Sequence, residues 1–580
     1  MVDRPARLRL PILLAAVALL LGARPAGAIP LNADGTINLG IRAYVNARIG
    51  TTAKQSTRPG DQSPECMAAP NAENCSFGGT FPYSGAGHVI QNRYFLEAKW
   101  NHSLVEMFRD VLPESVTDFK YNLTYRGEYD GIYDFGPNEY RHGTETLQEI
   151  QEALRQGGLP TSLAGDRNYR VRHRLRQVAS NRNRLFLAFV DWEQGPLFIR
   201  FGRQNLVWGE TDAFRLLDNI NPIDASFGGF FIDLDERRVP LDMLRASWNF
   251  GTVGPIDQAF LEGYVAFDRN VAFVPGAPPG SPWYPPLGPP TGLLLAKLEA
   301  PNLTVHNLRG GGRFVFNVGD YTFTLASYQT VFDLPAVRFR ASSPNDPGFV
   351  PNISQITADT YGPLVWVNGA STTTALPSLR SVVRGEVAWF KDEALFRGPT
   401  EAGFPGKGLT GQLVTDFVAP VLAGTFDTVT RKDTYNMALG WDVNLPIDWI
   451  NSRDSVFLTT QVFYRHIFDR DPLQALPVPE PNNSQRVVPQ PNDSVLQTLA
   501  IATTYLATVP ATSVNLQITP GYNMFYDWQG SILFQPNVRF VRDPWRFIVD
   551  YTTINSGVFR YPIGLVRDRS NVRFQVEYVL

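Results

Sequence analysis

The stretch INLGIRAYVNARI, residues 37–49, decides the fold. Its odd positions are Ile37, Leu39, Ile41, Ala43, Val45, Ala47 and Ile49, and its even positions are Asn38, Gly40, Arg42, Tyr44, Asn46 and Arg48. Successive side chains of a strand point to opposite faces, so a period of two kept this long means one oily face and one wet face. At about 13 residues the strand exceeds the usual globular length and is long enough for a tilted membrane strand.

The pattern returns with Tyr94, Leu96, Ala98 and Trp100 against Arg93, Glu97 and Lys99, then with Phe119, Tyr121, Leu123 and Tyr125 against Lys120, Asn122 and Arg126. It also closes the chain, where Val572, Phe574, Val576, Tyr578 and Leu580 alternate with Arg573, Gln575 and Glu577. An amphipathic last strand resembles the outer-membrane assembly signal, here ending in Leu580 where Phe is usual, so assembly machinery is an expected partner.

The chain starts with Arg4, Arg7 and Arg9, runs through an apolar segment from Leu10 to Leu21 and reaches Ala26, Gly27 and Ala28. That order marks a cleavable secretory signal over 1–28, leaving 29–580 as one barrel domain. The apolar segment is too short to cross a bilayer core of about 30 Å as a helix. No run of about 18 apolar residues follows Ile29, so any span has to be built from strands.

A composition of 44% hydrophobic and 18% charged residues fits a soluble multidomain chain as well as a barrel. The 22 Tyr and 38 Phe suit interfacial aromatic girdles, although a large sandwich core could use them too. The first 28 residues carry four arginines and one aspartate, so losing them moves the formal charge from −3 to about −6, with no basic bias and no nucleic-acid partner implied. Seven lysines stand against 45 arginines. Arginine suits paired networks in a lumen, and a biased genome composition would give the same ratio. Cys66 and Cys75 lie close together in a stretch rich in Pro, Asn, Ser and Gly. In an exported chain they are expected to form one disulfide; no His or further Cys lies nearby to complete a metal set.

Short turns alternate with long polar loops. Glu193 to Pro196 and Val318-Gly319-Asp320 read as hairpins, whereas Pro275 to Pro290 holds eight prolines and has to leave the sheet. Both termini of a bacterial barrel lie in the periplasm, so the strand number is even. About 17 strands are visible, and the connection from Asn444 to Asp454 falls on the periplasmic side only if one more lies between Val331 and Lys432. The expected fold is therefore all-β: a transmembrane antiparallel β-barrel of roughly 16–18 strands with long outer loops. Thr144 to Arg155 reads as a loop helix, from Leu147, Ile150 and Leu154 at helical spacing.

The most distinctive segment holds Arg200-Phe201-Gly202-Arg203-Gln204, Val207-Trp208-Gly209-Glu210, Asp218 to Asp224 and Asp233 to Pro240. With Arg384-Gly385-Glu386, Leu439-Gly440-Trp441-Asp442, Gln461-Val462-Phe463 and Tyr526-Asp527-Trp528, it resembles the Gram-negative outer-membrane family catalogued as domain of unknown function 1302. The resemblance covers nearly the whole mature chain. It implies an outer-membrane barrel, embedded in outer-membrane lipid, that moves a hydrophobic or lipid-like molecule with a periplasmic lipoprotein-like carrier and an exporter of the resistance-nodulation-division type.

The charges Arg203, Glu210, Asp212, Asp218, Asp224, Asp235, Arg237 and Arg238 are too many to face lipid, where a midplane arginine costs roughly 2–4 kcal/mol. Together with Trp208 they are expected to belong to a loop, residues 205–240, folded inward as a charge-paired constriction. A purely structural network and direct substrate contact are both open readings of it.

Rival classes are a general diffusion porin, a lipid-hydrolysing barrel and a soluble secreted β protein. None of His88, His102, His142, His173, His306 and His466 sits in a nucleophile motif, and neither Gly-x-Ser-x-Gly nor His-Glu-x-x-His occurs. No catalytic residue, metal or cofactor is therefore expected. Gly310 to Gly312 lacks the Lys-Ser or Lys-Thr of a phosphate loop and reads as a flexible strand entry.

Overall fold

The structure is a computed structural model describing residues 28–52, 86–137, 140, 180–212, 214–270, 281–283, 296–299, 304–333, 336–341, 343–344, 356–397, 419–425, 427–471, 475–479, 485–489, 491–509, 514–528, 530–556, 563 and 569–580. All but the last residue of the signal expected over 1–28, the pair Cys66 and Cys75, the helix expected from Thr144 to Arg155, and most of Pro275 to Pro290 lie outside the described residues.

Among the described residues, 18 antiparallel strands form one closed barrel. In chain order they are β1 (Ile37–Gly50), β2 (Val89–Ser103), β3 (Val116–Asp130), β4 (Asn181–Gln194), β5 (Leu197–Gln204), β6 (Leu241–Val253), β7 (Ile256–Ala266), β8 (Arg309–Val318) and β9 (Tyr321–Val331). The second half continues with β10 (Leu364–Leu376), β11 (Ser381–Phe396), β12 (Val429–Leu445), β13 (Val456–Ile467), β14 (Asp493–Ala502, continued by Tyr505–Val509), β15 (Val514–Asp527), β16 (Ser531–Arg542), β17 (Trp545–Ser556) and β18 (Asn571–Val579). Each strand pairs with the next. The sheet closes where β18 meets β1, in a register from Arg42↔Val579 to Gly50↔Asn571.

The alternation read from the sequence sets the two faces. In β1, Val45 is exposed on the outer face while Tyr44, Asn46 and Arg48 are buried on the inner one. Trp248, Leu325, Trp389, Leu439, Phe547 and Phe574 continue the exposed apolar surface round the barrel. Exposed large apolar side chains over a whole circumference are what a lipid solvent requires. No helix among the described residues is long and apolar enough to cross a membrane.

Tight turns gather at one end. Gly195-Pro196, Gly254-Pro255 and Gly319-Asp320 each join neighbouring strands, with φ of +55°, +63° and +57° at the glycine. Such φ values carry no side-chain penalty in glycine and reverse the chain in two residues. The connection between β12 and β13 falls at this same end, as parity requires. The interval from Val331 to Lys432 holds two complete strands, β10 and β11, which bring the total to the even number expected.

Gly310 to Gly312 do open β8, but as residues paired on both sides, with β7 and β9, and not as a flexible entry. A Cβ on Gly311 would lie 2.4 Å from the Tyr328 Cα, so glycine is required by the close approach of β9.

Candidate functional site

Residues 205–240 connect β5 to β6, and their contacts are with inward-facing side chains all round the barrel. The segment has two arms, held by different physics.

The first arm, Leu206 to Ile220, packs as an oily face. Leu206, Trp208, Leu216, Leu217 and Ile220 form one buried cluster with Met243, Tyr264, Tyr328, Val367, Phe390 and Phe463 from β6, β7, β9, β10, β11 and β13. Burying a leucine or isoleucine is worth roughly 1.5–3 kcal/mol, so this face alone holds the arm to the wall. Polar bonds then fix its position. Trp208 Nε1 donates to Glu262 at 2.6 Å, and the Tyr328 hydroxyl donates to the Leu217 carbonyl at 2.8 Å. Glu386 accepts the backbone N–H of Glu210 at 2.7 Å and of Leu217 at 2.6 Å. Arg384 donates to the Glu210 carbonyl at 2.6 Å and to Asp212 at 2.9 Å. Gly369 leaves the space that Leu217 fills: a Cβ there would come within 2.6 Å of Leu217 Cδ2.

The second arm, Asn221 to Arg238, packs on the opposite wall through charge. Its short helix, Leu234–Arg237, turns Glu236 toward the barrel wall. There Arg42 and Arg93 each approach Glu236 to 2.9 Å, and the Tyr44 hydroxyl donates to it at 2.6 Å. Arg93 also bonds Glu128 at 2.7 Å, Glu128 bonds Arg182 at 2.7 Å, and Arg182 bonds Asp224. Arg126 donates to the Glu236 carbonyl at 3.0 Å and Arg48 to that of Phe231 at 2.9 Å. This ladder of alternating charge runs over β1 to β4.

Burial opposes ionisation of Glu236 and Asp224, yet the guanidiniums of Arg93 and Arg42 in the one case, and of Arg182 in the other, hold both carboxyls below the ordinary range. Burial wins at Asp218, whose carboxyl lies above the usual value despite Arg215 and Arg238. An ion pair kept from water gains only when its geometry satisfies both partners. Both Glu236 oxygens have partners, whereas Arg93 keeps one buried nitrogen, Nε, without one.

The candidate residues separate cleanly. Trp208, Asp218, Asp224 and Arg238 are buried within the segment, and Arg238 bonds both Asp218 and Asp235. Asp235 itself is 87% exposed to the lumen. Glu210 is anchored through its backbone, and its carboxylate has no ion pair among the described residues. Arg237 accepts the Asp224 N–H on its carbonyl at 2.7 Å, closing the base of the second arm. Arg203 does not belong here. It shares a face of β5 with exposed Phe201 and pairs with Asp242 of β6 at 3.0 Å, so strand parity turns it outward, at the rim, with its charge matched.

Sequence reasoning missed Glu236, Arg215, Glu128, Arg182, Glu262 and Glu386. Arg42, Arg93 and Arg126 were legible as inward-facing, but nothing local tied them to a segment more than a hundred residues away.

On the first arm, Phe214 touches Phe463 at 5.2 Å and Phe525 at 6.4 Å between ring centroids. Phe231, Leu533, Ile554 and Ile563 form a further apolar group against Phe525 and Trp283. An apolar track therefore continues along the lumen, aromatic at Phe463 and Phe525 and aliphatic at Leu533 and Ile554.

A closed barrel with an apolar outer face, and a connection folded across its interior, defines a transmembrane β-barrel of the outer-membrane type. The chain belongs to the family described as protein of unknown function DUF1302, whose model matches residues 9–580. Similar solved structures include Acinetobacter baumannii OccAB1, at 9% identity over 96% of this chain and 99% of that one, with a TM-score of 0.38. Pseudomonas putida OprB shows 9% identity over 94% of this chain and 95% of its own, with a TM-score of 0.37. No curated protein matches.

Proposed function

We propose that the protein is an outer-membrane channel or transporter whose lumen is narrowed by residues 205–240 and whose cargo is hydrophobic or lipid-like. The observation that carries this reading is the bridge itself: one segment is buried against β6–β13 through Trp208, Leu217 and Ile220 and against β1–β4 through Glu236 and Asp224. A connection held to opposite walls restricts passage. The track from Phe214 through Phe463 and Phe525 offers an apolar cargo a non-polar surface to follow. A periplasmic lipoprotein-like carrier and a resistance-nodulation-division exporter are the partners that fit such a cargo, since an apolar molecule needs a shielded route through water.

The test compares the native chain with a variant in which 207–239 is replaced by a short Gly-Ser linker, both in liposomes. The native protein should exclude a trisaccharide while speeding exchange of a lipophilic fluorophore, and the linker variant should admit the sugar. A native chain as permeable to the sugar as the variant would favour a general diffusion porin and sink this reading.

A further inference from the structure

We infer that the lumen wall near the short-turn end holds an anion site, with Arg539 as its cation, that takes the charged head of an amphiphilic molecule. This rests on the hydrophobic cargo proposed above and adds an anionic head group to it.

Two observations meet here. The first is charge matching. Arg539 lies on the inner face of β16, opposite Thr519 and Ile548. Other inward-facing arginines have a carboxylate within 4.0 Å: Arg573 has Asp550, Arg42 has Glu577, Arg465 has Glu393, and Arg245 and Arg313 share Glu262. Among the described inward-facing strand arginines, Arg539 alone has none, and its side chain is exposed to the lumen. A guanidinium keeps its charge at any relevant pH, so its counter-ion has to come from outside the wall.

The second observation is shape. Phe457, Ala502, Gly521 and Asn537 form one row across β13 to β16. The two small residues in its middle recess the wall into a cavity of about 220 Å³ beside Arg539. A Cβ on Gly521 would meet Asn537 Oδ1 at 2.8 Å, so a side chain there would displace that amide and take up space in the recess. A cavity of roughly 150 Å³ holds a benzene ring, so this one admits a head group and the first carbons of a chain. A carboxylate or phosphate suits the planar fork of Arg539, with Phe457 and Ala500 against the methylenes.

The test uses the full chain in uncharged maltoside micelles with dodecanoate bearing a mid-chain photoreactive diazirine, its crosslinks mapped by mass spectrometry. Labelling should fall on 457, 500–502 and 519–523. It should drop about tenfold in Arg539→Gln, return in large part in Arg539→Lys, and resist competition by acetate. Heat-modifiable migration shows each variant to be folded. Undiminished labelling in Arg539→Gln, or full competition by acetate, overturns the site. Equal labelling by the matching dodecanol overturns the anion site and leaves the apolar cargo standing. Labelling by neither probe inside the lumen overturns both.

Discussion

At the scale of single residues, two neighbouring acids on one helical turn should behave differently. Glu236 is buried between Arg42, Arg93 and Tyr44, so Glu236→Ala leaves Arg42 with Glu577 alone and Arg93 with Glu128 alone and frees the second arm of its acid, at a cost in docking of at most about 3–5 kcal/mol. Asp235 is 87% exposed, and its pair with Arg238 is worth about 0–1 kcal/mol. Trypsin applied to the unboiled protein should therefore cut after Arg237 and Arg238 in Glu236→Ala, while Asp235→Ala resists as the native chain does. Equal cutting of the two variants would contradict the assignment. The run Asp233 to Arg238 showed in the sequence that charge was concentrated here, and Asp218, Asp224 and Arg238 were legible as inward-facing. Which acid carried the segment was not legible, because one residue of rotation on a single helical turn exchanges Asp235 for Glu236. Arg203 was misread for a related reason: its charge argued inward, while the parity it shares with Phe201 turns it outward.

At the scale of elements, the two arms should respond oppositely to acid. Glu236 and Asp224 have carboxyls held below their ordinary range, so the stability they give is complete above the ordinary value of about 4 and is lost as pH falls through the lower folded value. Around them stand Arg42, Arg93, Arg126 and Tyr44 on one side and Arg182 and Arg184 on the other. Asp218 has a raised value, so its contribution runs the other way, present in acid and lost as pH rises through the folded value. The first arm should stay docked in acid, held by Leu217 and Ile220, while the second releases. Single-channel conductance in planar bilayers should be level from about pH 7 to 5 and rise below about pH 4. Glu236→Gln should conduct more at neutral pH and show a smaller acid step. A profile unchanged by that substitution would remove Glu236 from the constriction. The strands themselves were legible because a period of two is local. The docking of 205–240 was not, because its partners are spread over most of the barrel.

At the scale of the whole molecule, closure depends on the last strand. An open sheet of this length would expose a row of unpaired N–H and C=O groups, which in lipid have no partner at all. Here β18 supplies the pairing for β1 from Arg42 to Gly50, and Leu580 extends it by donating to the Ile41 carbonyl at 2.7 Å and accepting the Ile41 N–H at 2.9 Å. Both Leu580 bonds are made by its backbone, so Leu580→Phe should keep them and assemble normally. Removing 571–580 leaves both β1 and β17 with a bare edge. The full chain should resist extraction by high salt, dissolve in detergent and migrate faster unboiled than boiled, because a cylinder without edges unfolds only as a whole. The truncated chain should lose the fast-migrating form and aggregate. If it still shows heat-modifiable migration in the membrane fraction, the β18–β1 seam is not what closes the barrel.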